Sequence, residues 1–334
     1  MSGPFDAVLL VAFGGPQGPA DVRPFLENVL RGRRVSPERI EEVAHHYERF
    51  GGVSPLTELT NRQAEALEAA LEGRGVRLPV HVGMRNWHPL LPDTLTRMSS
   101  AGVRRAIGVL AAAQRSYSGC LQYKENVRDA RAAIVGAGHA GIDIVYVGDW
   151  HEHPGFIDAN ADNVRQAIAR LPADRRGRAR VIFTAHSIPL AMAKAYPYEA
   201  QLLAAATSIA ERVLADAGEN ADLDWSLVYQ SRSGRPGDPW LEPDVCDYLR
   251  AEAAHGLDTV VLCPVGFLCD HVEVLYDLDV EAAAVSRELG MTMVRADAVN
   301  THPRFIDALA DAVTETYERY RRSIPMVLVP PRSA

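Results

Sequence analysis

His186 closes the apolar run 181–185 (VIFTA) and precedes a Ser187-Ile188-Pro189 turn. An imidazole at the end of a buried strand can accept a proton near neutral pH or ligate a borderline metal. The plainer reading is a histidine satisfied by nearby backbone. The other chemically pointed stretch is Asp270-His271-Val272-Glu273, continuing to Asp277 and Glu281. On an α-helix Glu273, Asp277 and Glu281 recur at i, i+4 and i+8, so three carboxylates share one face. Asp270 with Glu273 three residues later reads as a capping box, and acids favour a helix N-terminus. That reading leaves Asp277 and Glu281 unexplained, because like charges repel at this spacing. They form either a solvated acidic face or a row of hard oxygen ligands suited to a hydrated divalent cation.

Other motifs weigh less. His45-His46 on a helix and His151 with His153 in a loop are adjacent or exposed histidines of the kind that rarely bind metal. Gly136, Gly138 and Gly141 fit G-x-G-x-x-G, but a helical pattern precedes them and a strand follows. The dinucleotide motif requires the reverse order, so the string reads as a helix C-cap and turn, and no nicotinamide cofactor is expected. There is no G-x-S-x-G, H-E-x-x-H, Walker or C-x-x-C sequence. The cysteines at 120, 246, 263 and 269 are too few and too scattered for a disulfide framework.

The elements that must position these residues follow from apolar periodicity. Near-continuous apolar runs at 7–14, 78–84, 105–112, 142–148, 180–185, 225–231, 259–267 and 291–299 suit strands covered on both faces of a parallel sheet. Helical patterns such as 60–71, 201–217 and 280–289 lie between them. The alternation predicts an α/β fold of two doubly wound, Rossmann-like halves, each with a four-stranded parallel sheet flanked by helices and with a cleft between the halves. The expected division is 1–150 and 151–302, a terminal helix at 303–323 that could return to the first half, and a loose tail at 324–334. Doubly wound sheets place their chemistry at the C-terminal strand ends, which here carry Phe13-Gly14, Arg115-Ser116, His186-Ser187, Gln230-Ser231 and Gly266-Phe267.

Composition narrows the classes. The net charge of −8 and the lack of a Lys/Arg block argue against nucleic acid or an anionic lipid surface as the main partner. No apolar stretch approaches the ~20 residues of a membrane span, and the N-terminus lacks the basic start of a signal peptide, so a cytoplasmic location is expected.

The strings LLVAFGGP, RGRRVSPE, HHYERFGGVSPLTELT, SYSGCLQY, FTAHSIP, QSRSGRPGDPWLEPDV and CPVGFLCDHVEVLYDLD resemble the ferrochelatase family nearly end to end. The resemblance implies a lyase that inserts Fe²⁺, as substrate, into a porphyrin during haem synthesis. It implies His186 and Glu273 as the inner iron-site pair, with Asp277 and Glu281 as an outer acidic row. Ser54 and Tyr123 match porphyrin-contacting positions, and Arg31, Tyr47 and Trp240 are expected cleft contacts. Phe13 borders the same space, where several relatives carry a tyrosine able to ligate iron. His46 stands where some relatives have arginine, and Gln114 where some have histidine. FLENVLRGR and FGGVSP look most like the branch that uses coproporphyrin III. The cysteines lack the pattern of cluster-containing members, so no 2Fe–2S cluster is expected, and a monomer is expected. The alternatives are a chelatase for another metal or for protoporphyrin IX, and a two-lobed tetrapyrrole carrier without chemistry.

Overall fold

The computed structural model describes residues 3–32, 35–215, 223–234 and 237–322. Among the described residues, eight strands form two all-parallel sheets of four. The first contains β1 (Ala7–Ala12), β2 (Val80–Met84), β3 (Arg105–Leu110) and β4 (Asp143–Tyr146), in the order β2-β1-β3-β4. The second contains β5 (Arg180–His186), β6 (Trp225–Gln230), β7 (Thr259–Cys263) and β8 (Thr292–Arg295), in the order β6-β5-β7-β8. The second half therefore repeats the topology of the first. In each sheet the winding direction reverses beside the first strand, between β1 and β3 and between β5 and β7, where such sheets open a binding crevice at their C-terminal edge. β1 and β7 are buried along their whole length, which accounts for their unbroken apolar sequence.

Every predicted strand is present, but several are shorter than their apolar runs. β7 stops at Cys263 because Pro264 has no N–H to donate to a ladder. The chain beyond it folds back over the end of β5, where the amide of Gly266 donates to the carbonyl of Thr184 at 3.1 Å. A Cβ at Gly266 would meet Cβ of Ala185 at 2.6 Å, so only glycine allows this approach. The approach carries residues 268–273 to the side of His186. Gly136, Gly138 and Gly141 end a helix rather than begin one: Gln122–Gly136 stops there, Gly138 has φ +88°, and β4 follows.

The helix Pro303–Arg322 packs against Leu56–Gly73 and Pro154–Arg170. It also reaches the first sheet. Tyr320 lies edge-on to Phe5 at 5.2 Å, and Arg105 lies 4.8 Å from its ring centre. Arg74 pairs with Asp307 and Asp311 at 3.0 and 3.2 Å. The largest apolar cluster joins the two halves, bringing Val8, Leu10 and Leu67 together with Val181, Phe183 and Phe305. The expected tail at 324–334 lies outside the described residues. Among the described residues no helix is long and apolar enough to cross a membrane.

Candidate active site

His186 is the last residue of β5, and its backbone is held on every side. The amide of Ser187 donates to the Gln230 carbonyl at 2.8 Å, and Oγ of Ser187 donates to the Leu241 carbonyl at 2.8 Å. The buried hydroxyl of Tyr198 donates to the His186 carbonyl at 3.1 Å. Nδ1 of His186 lies 2.5 Å from the Ser187 carbonyl, which can only accept, so Nδ1 carries a proton. In the neutral ring that leaves the Nε2 lone pair directed into the cleft. There it faces Oε2 of Glu273 at 3.7 Å, with the two side chains 33% and 45% exposed. The gap is too long for a hydrogen bond, so an atom bound between them would displace nothing already made.

The route to Glu273 differs from the sequence reading. Asp270 is not the helix cap: its carboxylate pairs with Arg295 at 2.8 Å and accepts from Nδ2 of Asn300 at 2.8 Å. The cap is His271, whose Nδ1 accepts the amide of Glu273 at 3.2 Å. Burial lowers the pKa of His271, which keeps this lone pair available. Nor do the three carboxylates share one α-helix. After one turn, Val272–Val274, the segment Leu275–Ala282 is a π-helix. Its wider i→i+5 turn brings residues four apart closer to one line than the 3.6-residue turn does, so Glu273, Asp277 and Glu281 stack along the axis.

Asp277 is gripped by the second sheet. Ser231 Oγ donates to its Oδ2, and Nε2 of Gln230 lies 3.3 Å from the same atom. Ser231 adopts φ +59° at the end of β6. Burial, reinforced by the charges of Glu273 and Glu281, pushes the Asp277 carboxyl up to about 7 despite those two donors. Burial and the nearby Asp244 also raise Glu281. Asp277 is thus the member of the row whose ionisation its surroundings oppose most.

The opposite wall belongs to the first half. Phe25 is its hub, edge-on to Phe13, Tyr47 and Trp87 at 6.3, 5.6 and 6.2 Å. Val272, next to Glu273, is buried in the same cluster. Tyr47 is almost fully enclosed, and burial raises its hydroxyl far above the usual phenol range, so it stays neutral. His46 stacks on Tyr276 of the π-helix with ring centres 3.5 Å apart and planes inclined by 12°. The guanidinium of Arg85 lies over the rings of both Phe13 and Tyr123, at 5.5 and 5.1 Å.

The structure therefore gathers His186, Glu273 and Asp277 into one set, with Glu281 as its outer, exposed member. Phe13, Tyr47 and Tyr123 join through Phe25 and Arg85. Ser54 is 3% exposed and lies against Gly15, just past Phe13. Trp240 bridges to Pro189, three residues beyond His186, and covers Gly234. Arg31 stands apart, exposed at the end of Pro19–Leu30 and bonded to Asn28. Sequence reasoning missed the grip of Gln230 and Ser231 on Asp277, the cap by His271 and the His46–Tyr276 stack. The strand-end position of Gln230-Ser231 was the one available signal for the first of these. The other two depend on tertiary contacts.

The two repeated, doubly wound halves thus set a histidine at the end of β5 opposite a carboxylate on the turn Val272–Val274. The solved structure of SirB from Bacillus subtilis with Fe³⁺ superposes with a TM-score of 0.55 at 12% identity, over 96% of this chain and 98% of that one, a likeness of fold. The chain belongs to the ferrochelatase family, whose profile matches residues 5–317. It is 45% identical over 322 residues to the coproporphyrin III ferrochelatase of Streptomyces coelicolor, covering 93% of this chain and 85% of that protein. With the coproporphyrin III ferrochelatase of Nocardia farcinica the identity is 47%, over 93% and 88%. A ferrochelatase of Rhodopirellula baltica is also 47% identical, over 93% and 86%.

Proposed function

We propose that this chain is a lyase that inserts Fe²⁺ into coproporphyrin III, releasing two protons from the ring nitrogens. The observation that carries the reading is Nε2 of His186 facing Oε2 of Glu273 across 3.7 Å, in a chain of this family. Metallation exchanges the water around Fe²⁺ for four ring nitrogens and requires two N–H bonds to break. A planar ring shields its nitrogens, so the walls serve the reaction by holding it bent, with binding energy from the ring periphery spent on distortion. The Phe13 side of the cleft, backed by the enclosed Tyr47 and Tyr123, supplies apolar surface for this, with Ser54 and Trp240 at its borders, while Arg31 stands apart.

His186 takes one proton at Nε2, since its Nδ1–H is already committed to Ser187. Glu273 lies within reach of the same point and balances charge by taking the second proton at its carboxylate. One imidazole and one carboxylate make an incomplete ligand set, which suits a metal that must move on, whereas four good ligands would retain it. Asp277 and Glu281 lead from that pair towards solvent. A carboxyl poised at about 7 can carry a proton outward or exchange it for a hydrated cation near neutral pH. Anaerobic metallation with coproporphyrin III and protoporphyrin IX side by side tests the proposal. The expected result is turnover of both Fe²⁺ and ring, faster with coproporphyrin III. Binding of ring without metallation would make the protein a carrier, and a preference for protoporphyrin IX would reassign the substrate.

A further inference from the structure

Gln63 lies two turns into the helix Leu56–Gly73 of the first half and is 1% exposed. Its amide nitrogen reaches only into the second half: it is 2.7 Å from the Asn300 carbonyl, 3.2 Å from the Leu268 carbonyl and 3.0 Å from Sγ of Cys269. The flipped amide would set its oxygen against two carbonyl oxygens, so the donor orientation is the one the site permits.

The segment it grips is the one that delivers Glu273. The amide of Asn300 donates to the Leu268 carbonyl at 3.0 Å, and the Asp270 amide donates to Oδ1 of Asn300 at 2.9 Å. Nδ2 of Asn300 returns a bond to Asp270 at 2.8 Å. Asn300 adopts φ +42° in this arrangement, a conformation that asparagine tolerates better than most residues. His271 follows directly and caps the turn that carries Glu273. Gln63 thus stands at one end of a polar chain with Glu273 at the other. Its own helix begins on the ring side of the cleft, where Thr57 donates to the Gly15 carbonyl at 3.2 Å beside Ser54. Thr57 and Gln63 are six residues apart on that helix, about 9 Å along its axis.

We infer that Gln63 is a positioning residue that sets the height of Glu273 over the bound ring, and with it the gap to His186, by fixing the 268–271 segment to a first-half helix. It touches neither ring nor iron. The inference rests on the reading of His186 and Glu273 as the metal-handling pair. A misplacement of about 1 Å at a reacting centre costs up to ~10²-fold in rate, whereas ring binding depends mainly on walls that Gln63 leaves alone.

The test compares wild type with Gln63→Met, Gln63→Leu and Leu67→Val. Leu67 is fully buried on the same helix and lies in the apolar core rather than the polar chain, so Leu67→Val controls for plain loss of stability. Anaerobic metallation kinetics and amide hydrogen exchange are measured on the full chain. We expect kcat to fall about tenfold or more in the Gln63 variants with KM for the porphyrin within about twofold, and exchange to quicken selectively in 268–275. Leu67→Val should keep its kcat at a comparable drop in Tm. Wild-type kcat in Gln63→Met, or an equal kcat loss in Leu67→Val, overturns the inference. If wild type itself does not metallate, the proposed function fails instead, and unchanged exchange in 268–275 would separately remove the tie. Should Gln63→Leu not fold, Gln63→Met, with its longer and more flexible side chain, carries the same comparison.

Discussion

Replacing Asp277 by Asn removes a charge from the acidic row while keeping the side chain's shape and the oxygen that accepts from Ser231 and Gln230. Burial, with help from Glu273 and Glu281, holds the folded-state carboxyl at about 7 against an ordinary value of 3.8. Between those values the folded chain keeps a proton that the unfolded chain has released, so this group makes stability fall as pH rises through the window. At 1.36 kcal/mol per unit the cost is bounded at roughly 4 kcal/mol, and cleft water screens part of it. We expect Asp277→Asn to be more stable than wild type by about 1–2 kcal/mol at pH 8, worth a few degrees in Tm. About half or more of that gain should remain at pH 4.5, close to the unfolded carboxyl's own titration, and it should vanish by about pH 3. Urea unfolding of the metal-free protein at several pH values between these limits measures the difference. A gain that does not vary with pH, or a wild type more stable than the variant at pH 8, would show that Asp277 carries no such cost.

Neutralising Asp277 and Glu281 together should raise the Fe²⁺ concentration for half-maximal rate severalfold and leave the saturated rate less affected; unchanged iron dependence would return both to a solvated face. Asp270→Ala leaves Arg295, 12% exposed, with Asp279 at 2.8 Å as its remaining carboxylate partner and loosens Asn300, so it should cost about 1–2 kcal/mol in chemical denaturation; no measurable loss would refute that role. Burial pushes the thiols of Cys263 and Cys269 up to about 12, so Cys120 should alkylate well before either at pH 7.5, as mass spectrometry of timed labelling would reveal. Protein purified without oxygen should contain no acid-labile sulfide, and two irons with two sulfides per chain would overturn that expectation.

The architecture was legible because it depends on patterns that act over short distances. Eight apolar runs alternating with helical periodicity leave few options besides parallel sheets, and β1 and β7 are buried as those runs require. The place of His186 was equally readable, since strand, imidazole and Ser-Ile-Pro turn adjoin in the chain. The acidic segment was read only in part. A capping box is a local rule, but the pairing of Asp270 with Arg295 and Asn300 overrides it, and His271 takes the cap instead. The π-helix from Leu275 to Ala282 has no sequence signature at this level: Val274 and Leu278 face the second-half core while Tyr276 stacks on His46 of the first half. Contacts on two sides fix that turn, and neither partner is near it in sequence. Gln63 was invisible for the same reason, with its acceptors more than 200 residues away.

The rate of Fe²⁺ insertion into coproporphyrin III by His186→Ala, beside wild type and under anaerobic conditions, tests the central claim most directly. The ring's absorption bands report insertion, and its fluorescence titration reports binding. The account predicts that the variant folds, binds the ring with an affinity near that of wild type, and metallates it at least about 10³-fold more slowly, since it loses both the proton acceptor and half of the iron-holding pair. A folded His186→Ala that inserts iron at a rate close to wild type would contradict the account.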